Sequence, residues 1–326
     1  MGAFLVRRLI WLPILLFFIS LITFALGLYG PGDPVQVMMG LHANPETIER
    51  LRHEYGFDQP FYVQYLRYIG NALQGNFGYS LVKYRDQPVG KLIADALPAT
   101  IQLNLLAIGL GVLIGVPLGL LAGLNRDSWL DLLVRAFVIA GISFPIIFLN
   151  PVLTFIFSRR HDLILPAANL AVSVGPILPM VQGRWEGLLS AKIILPALIE
   201  STGVIAIMTR QMRAGIIEVM NEDFIRTARA KGLRERLVIF RHALRNALIP
   251  IATILGLMLG GLVAGSFLVE SWFGVPGVGA LTFDALSSRD YYVVMAMVLL
   301  IAVAYVVSNL IVDLTYGYLD PRIRKQ

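Results

Sequence analysis

The sequence contains no cysteine, and Asp, Glu, Lys and Arg together make only 15% of its 326 residues. The first absence excludes a disulfide framework and any thiolate metal site, and leaves the redox compartment unread. The second argues against an ordinary soluble chain, because the hydrophobic share is 57% and the mean hydropathy +0.72, values that suit a protein whose exterior faces lipid. There is no G-x-x-x-x-G-K-[ST] loop, so the chain has no cradle for nucleotide phosphates and is expected to bind no cofactor and hydrolyse no ATP. No internal repeat is evident and charges within the apolar runs are few, which is thin support for an ion-coupled secondary transporter. The net charge of +6 fits basic cytoplasmic loops better than nucleic acid, which is not expected as a partner.

What the chain has instead is long apolar runs. A bilayer core of about 30 Å needs about 20 helical residues, and six runs reach that length: 9–29, 98–124, 133–157, 192–212, 247–271 and 291–316. The first follows Arg7 and Arg8 as a signal peptide would. Its apolar stretch exceeds the usual core of about 7–15 residues, and no clear A-x-A site follows, so it is read as a retained helix with a cytoplasmic N-terminus. Segment 163–181 is apolar but carries Pro166, Pro176 and Pro179, each lacking a backbone donor. Six spans place the basic segment 213–246, the loop 125–131 and the tail "PRIRKQ" on one face, whereas a seventh would put the strongest cluster outside, against the positive-inside rule. Residues 158–191 are therefore expected to form an outer loop.

The expected fold is an all-α polytopic membrane protein. Its parts are an N-terminal transmembrane helix (1–29), an extracytoplasmic lobe (30–97), a five-helix core (98–316) with a cytoplasmic loop at 213–246, and a cytoplasmic tail (317–326). In the lobe, Asn44 can cap a helix that has Pro45 in its first turn and Ile48, Leu51 and Tyr55 on one face. Within the second span Ala107, Gly111, Gly115, Gly119 and Gly123 recur every fourth residue, a strip that lets another backbone approach. Gly256, Gly260 and Ala264 repeat the pattern in the fifth span, beside Gly261 and Gly265. Two readings stand for these strips: plain helix packing, or faces that separate as a pathway opens, with bends at Pro145 and Pro151. Glu200 lies within the fourth span, where a carboxylate facing lipid costs a few kcal/mol. It should face a pathway for amine-bearing cargo, or an interior partner.

Segment 226–246 carries seven Lys or Arg. Ile217, Met220, Phe224 and Ala228 form one helical stripe, and Leu233, Leu237, Phe240, Leu244 and Leu248 another, with Gly232 between them. The pattern predicts two helices joined by a glycine turn. Such an amphipathic element can lie on membrane lipid headgroups. Its ordered charges, led by Glu222 and Asp223, fit a groove on a cytoplasmic partner better. A bare membrane anchor would explain the hairpin but not six spans with small-residue faces.

"EDFIRTARAKGL" followed by "HALRNALIP" resembles the cytoplasmic coupling loop of the dipeptide and oligopeptide permeases, membrane subunits of ATP-binding-cassette importers. "PGDPV", "GNFGYS", "LPATIQL", "GVPLGLLAGLNRDSWLD", "VESWFGVPGVG", "RDYYVV" and "NLIVDLTYGYLDPRIR" resemble the same family in order along the chain. The resemblance implies the type I importer permease fold, a second homologous permease subunit, two cytoplasmic ATP-binding subunits that hold ATP and Mg, and an extracytoplasmic substrate-binding protein. It implies ATPase contacts at Glu222, Asp223, Phe224, Arg226, Thr227, Ala228, Arg229, Lys231 and Gly232, with Phe224 and Ala228 as the buried contacts. The lobe and the "SWFGVPGVG" loop would meet the binding protein or simply cap the bundle. Related permeases carry peptides, glutathione, nickel chelates or sugars, and peptide is the first expectation. The sequence departs from the wider superfamily at Arg226, Thr227 and Ala228, where Glu-Ala-Ala is common. It also has Asn76 where an acid is common, and Glu200 where a small or apolar residue is usual.

Overall fold

The computed structural model describes residues 2–29, 35, 44–54, 56–143 and 191–319, with side chains over 10–29, 35, 44–54, 56–141 and 196–310. Among these residues the protein is helical, with a single isolated bridge between Tyr79 and Pro88. The helices are α1 (Gly2–Tyr29), α2 (Pro45–Glu54), α3 (Phe61–Leu73), α4 (Val89–Leu124), α5 (Trp129–Ser143) and α6 (Ala191–Met220). They continue as α7 (Asp223–Ala230), α8 (Glu235–Ala247), α9 (Ile249–Gly260), α10 (Phe267–Phe273), α11 (Val278–Ser288) and α12 (Tyr291–Leu319). Three pass as membrane spans by length and composition: Ile10–Tyr29, Val89–Leu124 and Tyr291–Leu310. The pair α8 and α9, bent by 42°, would make a fourth.

The centre of the molecule is the contact of α4 with α6, and the glycine strip creates it. A methyl group on Gly115 would sit 2.8 Å from the Ile205 carbonyl oxygen, and one on Gly119 would overlap the Thr209 carbonyl. Gly111, Gly115, Gly119 and Gly123 meet Val204, Met208, Met212 and Ile216 in turn, so the two helices run parallel. The strip is a packing face. On the opposite side of α4, Leu105, Leu113 and Leu121 are exposed, an arrangement that suits lipid outside and backbone approach inside. Because α4 and α6 are parallel, the chain between Leu124 and Ala191 returns from one end of the bundle to the other. Pro145, Pro151 and the segment 158–190 lie outside the described residues, as do Tyr55 and the tail from 320.

Three sequence expectations are corrected. The second helix begins at Val89 and runs through Pro98, so the boundary placed at 97 falls inside α4. Pro98 is tolerated ten residues into the helix although it donates no backbone bond. The fifth span, expected to be continuous over 247–271, stops at Gly260, turns through 261–264 and resumes at Phe267. Gly265 takes the left-handed φ of +69°, and the Asn104 side chain donates to the Leu262 carbonyl at 2.8 Å, so the interrupted backbone is partly satisfied from α4. The helix after Gly232 contains a π turn at Val238–Ala243. Its buried face is therefore Val238, Ala243 and Ala247, while Leu237 and Phe240 are exposed.

In the lobe the expected cap is present. Asn44 Oδ1 accepts from the Glu46 backbone at 3.2 Å, at the start of α2. Phe24, Tyr65 and Tyr68 join α3 to α1, with Met295 and Leu299 of α12 completing the cluster.

Candidate functional site

The hairpin 222–247 sits at the end of the bundle where α6 finishes. Ile225, fully buried, and Ala228, 5% exposed, are three residues apart on one face of α7. They pack with Met208, Met212 and Ile216 of α6 and with Val238, Ala243, Ala247 and Ile251. Burying the Ile225 side chain contributes about 2 kcal/mol. Ala228, expected to be a partner contact, is thus occupied by its own chain, and Phe224 is 41% exposed. Of the two apolar neighbours Phe224 and Ile225 it is Ile225 that faces α6, because a helical step of about 100° puts only one of them there.

The turn is a Schellman motif. Gly232 has φ +74°, its N–H donates to the Arg229 carbonyl at 2.9 Å and the Leu233 N–H to the Ala228 carbonyl at 3.4 Å. A side chain at 232 would meet no neighbour within 4 Å, so glycine is required there by backbone conformation and not by space. Arg229 spans the turn, donating through Nη2 to Glu235 Oε1 at 2.6 Å and through Nε to Oε2 at 3.2 Å. That hydrogen bond holds the Glu235 carboxyl below the usual range and raises Arg229. Thr227 Oγ1 donates to the Asp223 carbonyl, and Arg226 pairs with Asp223 at 3.1 Å. Glu222, Asp223, Lys231 and all seven basic residues from Arg226 to Arg245 are exposed. The hairpin presents a cationic surface broken by Phe224, Leu237 and Phe240, and is seated by small and branched apolar residues beneath.

A second structure anchors this seat and was not anticipated. Asp131, with a fully buried side chain, accepts from Arg213 Nε at 2.6 Å and Nη2 at 2.7 Å. It also accepts from the Asp127 backbone at 3.1 Å and lies 3.5 Å from Arg135. The pair clamps the start of α5 to α6 two turns before the hairpin. In the sequence the only signal was an acid following "NRDSWL", 82 residues from its partner.

At the other end of the bundle a comparable knot forms around Glu270, which is fully buried. Its Oε1 accepts from Thr100 Oγ1 at 2.8 Å and its Oε2 from the Ala280 N–H at 3.0 Å. Thr100 Oγ1 in turn accepts from the Val278 N–H at 2.7 Å. Two otherwise unpaired donors at the start of α11 are thereby satisfied by α4 and α10. The spacing of "GVPGVG" follows: a methyl group on Gly277 would overlap the Glu270 carboxylate and Thr100, and one on Gly279 would sit 2.7 Å from the Phe267 nitrogen. Nearby, Asp290 accepts from Ser80 Oγ and from the Val82 N–H at 3.2 Å, which ties the lobe to the start of α12.

The expected pathway residues are not gathered into one site. Glu200 lies near Glu270 and Ser266, and its Oε2 is buried with no hydrogen-bond partner. Gly260 packs on α12, where a methyl group would come within 2.7 Å of Ser308 Cβ. Gly256 is half-buried in α9, and Ala264 ends the turn beyond it. Among the described residues no cluster of His, Asp or Glu has the makings of a metal site.

Comparison with known proteins adds an independent line. Residues 115–325 match the model for "Binding-protein-dependent transport system inner membrane component", and residues 1–104 that for the N-terminal part of such membrane components. The chain is 40% identical to the di/tripeptide transport system permease protein DppB of Pseudomonas aeruginosa (strain UCBPP-PA14), covering 100% of both chains. It is 37% identical to the glutathione transport system permease protein GsiC of Escherichia coli (strain K12), over 98% of each chain. The same values hold for GsiC of Shigella dysenteriae serotype 1.

Proposed function

From the premise that the chain belongs to the family of binding-protein-dependent transport-system inner-membrane components, as a multi-pass permease of the peptide importer class, we propose that it forms half of a translocation pathway for di- or oligopeptides. A second, homologous permease supplies the other half. Two ATP-binding subunits, which carry the ATP and Mg, grip the hairpins of the two permeases from the cytoplasm, where both termini also lie. An extracytoplasmic binding protein delivers cargo to the lobe end. No step of ATP chemistry falls to this chain.

The observation that carries this reading is the two-sided hairpin. Its inner face is fixed to α6 through Ile225 and Ala228, and its outer face leaves Phe224, Arg226, Arg229 and Lys231 exposed. A force applied to the outer face passes into α6 through packed side chains and into α5 through Asp131 and Arg213. Inverting a two-state equilibrium from 1:99 to 99:1 takes about 5.5 kcal/mol of differential binding. A loose polybasic loop could not transmit a load of that size, whereas a seated hairpin can. Phe224 supplies the apolar contact on the partner side, and the charges orient it. Glu200 would lie beside the route and favour amine-bearing cargo.

The test uses the assembled transporter in proteoliposomes. Phe224→Ala should leave the complex intact and ATP hydrolysis running while uptake falls at least about tenfold, the weight of an interface anchor worth over 1 kcal/mol. Normal uptake would remove Phe224 from the contact. Failure of the chain to bring down a sister permease and ATP-binding subunits would remove the assembly. Collapsing the ion gradient while ATP is kept should change nothing, whereas a secondary transporter would stop. Glutathione is the second cargo reading, favoured by the full-length likeness to proteins named for glutathione transport. The ligand that co-purifies with the cognate binding protein separates the two.

A further inference from the structure

Away from the hairpin and the pathway, a cavity of about 190 Å³ opens between the last two turns of α1, helix α3 and the first turns of α12. Its apolar wall includes Phe24, Leu28 and Met295, and its polar edge Arg67 and Asn71. Tyr68 of α3 is among its lining residues. That side chain is only 7% exposed, and its hydroxyl, wholly buried, has no hydrogen-bond partner. A buried donor left unmade costs about 1–3 kcal/mol, so the hydroxyl calls for an acceptor that the protein does not provide. Burial pushes its ionisation well above the ordinary tyrosine range, which keeps it a neutral donor.

The level of the cavity matters. The apolar stretch of α1 ends at Tyr29 and that of α12 begins at Tyr291, so the cavity lies where two spans leave the hydrocarbon, the depth at which tyrosine is enriched. Arg67 lines the cavity while staying exposed, held at 3.0 Å by donation to Gln59 Oε1. A ligand suited to these walls has a negative group at one end, an acceptor oxygen in the middle and methylenes at the other. The volume is about six times a water molecule's share of liquid, taken as about 30 Å³, more than a lone phosphate fills.

We propose that this cavity is a binding site for an anionic phospholipid, with the phosphate against Arg67 and Asn71, a glycerol-ester carbonyl accepting from the Tyr68 hydroxyl, and the first methylenes on Phe24, Leu28 and Met295. The lipid would brace the lobe against α1 and α12. This site is independent of the cargo and of the hairpin.

The experiment is native mass spectrometry of the full chain, within its complex, extracted by mild detergent from membranes containing phosphatidylglycerol. The wild type should retain phosphatidylglycerol, and Tyr68→Phe and Arg67→Gln should each retain about fivefold less, the loss expected from one hydrogen bond. In lipid-free detergent Tyr68→Phe should melt no lower than the wild type, because its hydroxyl has nothing to lose. With phosphatidylglycerol restored, the wild type should gain more in Tm than either variant. Equal retention by all three proteins overturns the proposal. So does a lower Tm for Tyr68→Phe without lipid, which would reveal a protein partner for the hydroxyl. Equal stabilisation by inorganic phosphate assigns the site to a free anion instead, and equal retention of phosphatidylcholine removes the charge selectivity; either result also overturns it.

Discussion

The two ends of the bundle handle charge in opposite ways. At the lobe end Glu270 and Asp290 are buried and spend their oxygens on backbone and hydroxyl donors from elements far apart in sequence. At the hairpin end the charges stand outside, and the chain is fastened by Ile225 and Ala228, with Asp131 and Arg213 as the one buried clamp described there. A buried carboxylate with several donors fixes geometry, since each donor left behind would be unsatisfied. An exposed charge fixes little within the chain and remains available to something else. The lobe end is thus built to hold its shape, and the hairpin end to be held.

Substitution can break that contrast in graded steps. The largest effect should come from Glu270→Ala, which strands the Thr100 hydroxyl and the Ala280 N–H; a loss of about 3–5 kcal/mol is expected, read as failed accumulation in the membrane. Glu270→Gln should recover part of it, and full accumulation of the alanine variant would deny the knot its role. Next, Asp131→Leu should cost about 3 kcal/mol by leaving Arg213 unpaired, and Arg213→Met a similar amount by leaving Asp131 unpaired, while the double change should lose far less. Thermal denaturation of the four proteins forms the cycle, and strict additivity would show that the clamp is not a pair. Gly232→Val follows at about 1–2 kcal/mol, from forcing a branched residue into left-handed backbone. It should lower uptake in the assembled transporter more than it lowers the melting temperature.

The smallest effect is a pH dependence of the Arg229 and Glu235 tie. The Glu235 carboxyl is held low in the folded hairpin, so the tie is fully present above the ordinary Glu value of about 4.3 and is lost as pH falls through the lowered one. Amide exchange at Leu233 should therefore quicken in acid below that value, once intrinsic rates are divided out. Arg229→Gln should abolish the dependence. Both ends are exposed, so the global stability should not register it.

Much of this was readable in the chain. The apolar runs gave helices, the four-residue glycine period gave a close helix contact, and Gly232 between two stripes gave the turn. Those are local signals. The choice between Phe224 and Ile225 was not local, because both are apolar neighbours and only the position of α6 decides which one faces in. The partners of Asp131, Glu270 and Asp290 lie 82, 170 and 210 residues away, so no spacing rule reaches them. The break after Gly260 was hidden within an apolar run, since Asn104, whose side chain satisfies the Leu262 carbonyl, belongs to another helix.

The π turn at Val238–Ala243 has a bearing of its own. A stretch wound this way carries about one residue more than an α-helix would use for the same advance, so deleting a single residue there would let the coil tighten to α winding while the parts on either side kept nearly the same mutual azimuth. The azimuth of the cationic surface is therefore buffered against the loss of one residue at this point. Homologues one residue shorter within this turn should stay compatible with a shared engine, whereas a residue lost from the regular helix beside it would swing the surface by about 100°.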